Sequence, residues 1–173
     1  MAMQRPSRTL SAPSLEGALL PGAGPCSACQ VSPHRDSVCR DAFAALVLSV
    51  IRFIGAAYST GNADCWEAAY HCAENSAGVS DGPLFVARAA GVVRALRQHG
   101  SQEMCYLPSS CKGLCASEAK LMALIDAARC ENSVMLWKAA SDLTREGQEP
   151  DVIGPANALV SLFTVSEGAD RRI

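Results

Sequence analysis

Aromatic residues make up only 5% of this 173-residue chain, and neither sign of charge dominates, with 15 lysines and arginines against 17 aspartates and glutamates. Scarce rings exclude a core built on large aromatics. With 49% of the residues hydrophobic, the core must come from alanine, leucine, valine and cysteine, which favours closely packed helices. A formal net charge of −2 excludes a general attraction to polyphosphate or anionic lipid, so no nucleic-acid partner is expected. No Gly-x-Ser-x-Gly elbow, Walker phosphate loop, dinucleotide glycine fingerprint or His-Glu-x-x-His pair occurs, which removes the enzyme classes with the most legible signatures. No cationic head runs directly into an apolar stretch at the start, and the nine cysteines are odd in number. A secreted disulfide scaffold is therefore not expected, and the cysteines read as thiols in the cytoplasm.

What is present divides into three parts. Residues 1–36 read as a disordered leader, because residues 1–33 hold five of the nine prolines, several serines, Arg5 and Arg8, and a single acid, Glu16. Its serine- and arginine-rich character also fits an organelle-targeting or export segment. Residues 37–166 read as one helical domain, and 167–173 as a flexible tail. The fold class expected is all-α, a compact bundle of about five to six helices.

The helices follow from apolar spacing and end signals. Arg40 to Tyr58 is apolar on nearly every side; on a helix, Asp41, Ser49 and Arg52 fall on one narrow stripe, which the spacing assigns to solvent. Arg52 also argues against a membrane span, since it would lie deep in hydrocarbon. A second helix is expected from Ala63 to Asn75, capped by Asn62, with Cys65, Ala68, Ala69 and Cys72 on one face. Asp81 and Pro83 open a third, running to His99, where Gly100 stops it; Phe85, Ala89, Val92, Val93 and Leu96 form its apolar stripe. A fourth starts at Ser117 and ends at Arg129, and a fifth, capped by Ser133, runs to Arg145 and buries Leu136, Ala140 and Leu143, with Trp137 at the flank. Gly154 and Pro155 are expected to introduce a short last helix, Ala156 to Val165.

Two groups of residues could carry chemistry. Cys26, Cys29, His34 and Cys39 read C-x2-C-x4-H-x4-C, four soft donors that can close a tetrahedron around zinc. Over residues 26–39 alone this spacing resembles the zinc knuckle of nucleocapsid and other RNA-binding proteins, and the resemblance implies a bound zinc ion. Ser27, Gln30 and Pro33 stand where knuckles carry an aromatic and glycines, so the base-stacking surface of that family is missing. The second group is His99, Cys105, Cys111 and Cys115. It spans Gly100 to Ala116, a connection of about seventeen residues, which is long for a compact helical domain unless something fixes it or it has a role. These four could hold zinc or an iron–sulfur cluster, although their spacing matches no established pattern. His71 and Cys72 are adjacent in sequence but about 100° apart on a helix, so they form no catalytic dyad.

The composition and the missing signatures together favour a non-enzymatic protein that binds another protein, in a regulatory role. Trp66 and Tyr70, four residues apart on the second helix, are candidate contact residues. The alternative is a metal-binding or thiol redox sensor using the Cys/His clusters, and a third reading is a small cysteine-dependent enzyme.

Overall fold

The computed structural model describes residues 41–76 and 82–169, and among them six helices and no strand: α1 Ala42–Thr60, α2 Asp64–Glu74, α3 Gly82–His99, α4 Ala116–Arg129, α5 Ser133–Ser141 and α6 Glu149–Ala169. The fold is the all-α bundle that composition favours. The leader, including Cys26, Cys29, His34 and Cys39, lies outside the described residues.

α1 is the central helix. Asp41 caps it from an extended backbone, its Oδ1 accepting the Ala44 N–H at 2.8 Å, and Gly61 closes it at φ 70°, a left-handed position that glycine adopts without strain. Val47, Leu48, Val50, Ile51 and Ile54 are completely buried, each contributing about 1.5–3 kcal/mol by leaving water. They meet the stripe foreseen on α3, where Phe85, Ala89, Val92, Val93 and Leu96 are all buried, and α4 adds Leu121, Leu124, Ile125 and Ala128. α1 packs on α2, α3 and α4, while α6 packs on α3, α4 and α5 and closes the bundle. Among the described residues only α1 is long and apolar enough to cross a membrane, and most of it is covered by this packing.

Several ends differ from the expectation, each for a local reason. Asn62 does bond the start of α2, but its Oδ1 accepts from Asp64, leaving Ala63 as the boundary residue. Asn132, not Ser133, caps α5, accepting the Met135 N–H at 3.1 Å. α5 stops at Ser141, not Arg145, and Thr144 instead bridges to Gly100 beyond α3. The last helix begins at Glu149 and contains Pro155, rather than starting after it. Glu149 and Asp151 in the first turn favour the exposed amides there, and complete burial of Val152, Ala156 and Leu159 on this helix offsets the backbone bond the proline cannot make. The same helix continues past Val165 to Ala169.

Candidate functional site

The largest correction concerns Arg52. The helical stripe placed it in solvent beside Asp41 and Ser49; in the structure its side chain is 1% exposed and faces Glu118, which is 0% exposed. A buried guanidinium is tolerated only when every donor is used, and here all five N–H groups have acceptors. Nε reaches Glu118 Oε1 at 2.7 Å and Nη2 reaches Oε2 at 2.8 Å, a bidentate fork. The remaining donors meet backbone carbonyls: Nη1 those of Cys111 at 2.6 Å and Pro108 at 3.4 Å, Nη2 that of Gly113 at 2.6 Å.

Glu118 is satisfied in the same way. Beyond the fork, its Oε1 accepts the Leu107 N–H at 2.9 Å and its Oε2 accepts the Cys115 N–H at 3.1 Å, the latter also serving as a cap for α4. The pair therefore fastens the second half of the long connection between α3 and α4, Leu107 to Cys115, to two core helices, while Gly100 and Ser101 at its start are held by Thr144 and Leu143. This is what fixes a segment that has almost no regular structure of its own. Tyr106 completes the anchoring: its ring lies on Gly55 so closely that a β-carbon there would come within 2.6 Å of Cγ. The Tyr106 hydroxyl is buried and has no hydrogen-bond partner among the described residues. Burial pushes its pKa far above the usual value, and Arg97 only partly opposes this.

The structure does not gather His99, Cys105, Cys111 and Cys115 as a ligand set; among the described residues no three His, Cys, Asp or Glu side chains come together in a way that could hold a metal. His99 Nδ1 instead shares a 2.6 Å hydrogen bond with Gln148 Oε1 and lies 3.6 Å from Asp151 Oδ2, joining the end of α3 to the start of α6. Cys115 is buried and its thiol donates to the Cys105 carbonyl at 3.2 Å, while Cys111 offers its carbonyl to Arg52. No disulfide joins the described cysteines. His71 bonds Asn75 rather than any cysteine thiol.

Trp66 and Tyr70 are partly buried and pack against the core, with the Trp66 ring edge-on to Tyr58 at 5.6 Å and Arg97 stacked over the far partner of that pair at 4.7 Å. The exposed aromatic is Trp137. On α5, Val134 is 76% exposed, Met135 52% and Trp137 50%. At about 100° per residue Val134 lies between the other two, so the three share the outer side of a short helix with Lys138 and Ser141. The sequence placed Trp137 beside the buried side of α5 and missed its exposure. Between α5 and α4 runs a shallow groove of about 300 Å³. No protein-family model, curated protein or solved structure matches the chain.

Proposed function

We propose that this chain is a non-enzymatic protein-binding module whose contact surface is centred on α5. The observation that supports this reading is the exposure of three large apolar side chains, Val134, Met135 and Trp137, on one side of α5. Leaving a tryptophan, a methionine and a valine together in solvent gains nothing for the monomer, while tryptophan is the residue most enriched among energetic anchors of protein interfaces. Trp66 and Tyr70 are partly buried against the core and offer less exposed area. The test compares proteins that co-purify with the wild-type chain and with Trp137→Glu, a change at a half-exposed site that should leave the melting temperature nearly unaltered. Loss of a partner is expected; equal recovery of every partner by the two proteins would sink the reading.

A second reading rests on the spacing of Cys26, Cys29, His34 and Cys39. Zinc held by these donors would order the segment preceding α1, since such sites fold around their metal. Elemental analysis should then find about one zinc per chain, released by Cys29→Ser. Unchanged zinc content in that variant would remove this proposal and leave the first untouched.

A further inference from the structure

The groove between α4 and α5 has a definite chemistry. Ala119, Ala123 and Ala127 recur every fourth residue along α4, and Met135 and Ala139 face them from α5, so the floor is apolar and has little relief. Lys120 stands on one wall and Lys138 on the other. Both are exposed, and neither ammonium has an ion-pair partner among the described residues; Lys120 reaches only the Asp142 carbonyl, at a long 3.4 Å. Asp142 at one end is the single acid in the lining.

We propose that this groove seats an amphipathic helix of a partner protein, apolar on one face and carrying carboxylates on its flanks. The proposal rests on the protein-binding reading above and specifies the partner. A trough lined by small side chains admits another helix closely, and helix-in-groove recognition uses residues at i, i+3, i+4 and i+7 as anchors. The two lysines would meet flanking glutamates or aspartates, setting register and orientation more than affinity. A second copy of the chain fits poorly. A two-fold interface would press the groove against itself, concave face to concave face and lysines against lysines. The chain's own first forty residues fit poorly too, because four arginines there stand against Glu16 and Asp36 alone.

Two synthetic helical peptides test this with the full chain: both carry leucine and alanine on one face, one with glutamates on its flanks and the other with lysines. Fluorescence anisotropy should show binding of the glutamate peptide only. In Lys120→Glu/Lys138→Glu, two attractive rim pairs become repulsive, so its affinity should fall about tenfold while the lysine peptide gains. Equal binding of the two peptides, or binding of neither, overturns the proposal. A photo-crosslinking residue in place of Ala123, in cells making the full chain, should attach to an acidic amphipathic segment of another protein; attachment to residues 1–40 of the same chain or to a second copy overturns it. Partner capture that is lost in Trp137→Glu but survives the double lysine reversal would sink the groove proposal and leave the binding function standing. Capture unaffected by either change would remove both.

Discussion

Arg52→Met should be among the most damaging single changes outside the apolar core, and a mutant cycle with Glu118→Met shows why. Removing the guanidinium leaves a carboxylate with no solvent access and no counter-charge, its only partners the N–H groups of Leu107 and Cys115. Breaking a buried pair from one side costs about 3–5 kcal/mol, most of it the penalty of the charge left behind. A domain of this size has about 5–15 kcal/mol in total, so the loss is a large share of its stability. Glu118→Met strands the opposite charge and should cost a similar amount. The double variant Arg52→Met/Glu118→Met leaves no buried charge and should be more stable than either single one, giving a coupling of about 2 kcal/mol or more between the two sites. Recovery stays incomplete because Leu107 and Cys115 still lose their acceptor and the carbonyls of Pro108, Cys111 and Gly113 their donor. Urea unfolding with linear extrapolation measures all four proteins, and amide exchange at Leu107 and Cys115 reports on the loop separately. Single costs below about 1 kcal/mol that simply add, as exposed pairs do, would refute the argument that this pair is buried and fully satisfied.

Three further outcomes follow from particular contacts. Gly55→Ala should destabilise by about 1–3 kcal/mol in thermal unfolding despite alanine's better helix propensity, because the new methyl strikes the Tyr106 ring; Gly91→Ala, with nothing within 4 Å, should instead stabilise by about 0.5–1 kcal/mol. Opposite signs at two mid-helix glycines test the packing directly, and a stabilising Gly55→Ala would contradict it. Tyr106→Phe should be neutral or stabilising, since it removes a buried hydroxyl that no hydrogen bond compensates; a loss of more than about 1 kcal/mol would mean the hydroxyl has a partner after all. The Asp41 carboxyl is held below its ordinary value of 3.8, chiefly by the Ala44 N–H and with help from Arg129, while slight burial works the other way. A lowered folded-state pKa makes its contribution complete above pH 3.8 and lost as pH falls through the folded value, so Asp41→Asn should flatten the acid limb of a stability–pH curve below that point.

Much of the bundle was legible because local signals agreed: the α3 stripe, the Pro83 entry, the Gly100 stop and the end of α4 at Arg129 all follow from signals within a single helix. Arg52 was not legible, for the opposite reason. Its partner lies 66 residues away, and no periodic pattern carries information across such a distance. Glu118 is the first-turn acid of α4, and that position says nothing of its contacts with Arg52 and Leu107. The length of the α3–α4 connection was the one available signal, since an irregular segment of that size inside a bundle demands an anchor, but it does not say which residue supplies it. Trp137 was misjudged because one position separates the flank of a nine-residue helix from its outer face. The early start of α6 was missed because Gly154 and Pro155 outweighed the acids ahead of them. Cys26, Cys29, His34 and Cys39 lie outside the described residues.

The anchor of the α3–α4 connection also has a polarity that neither side chain sets. Main-chain oxygens of Pro108, Cys111 and Gly113 surround the position of the guanidinium, and main-chain N–H groups of Leu107 and Cys115 point at the carboxylate. Exchanging the two residues would conserve charge, volume and pairing, yet it would set a carboxylate among carbonyl oxygens and a guanidinium against amide protons. The path of the backbone thus dictates which helix carries the cation, and a descendant of this sequence could lose the pair together but could not invert it without rebuilding the loop.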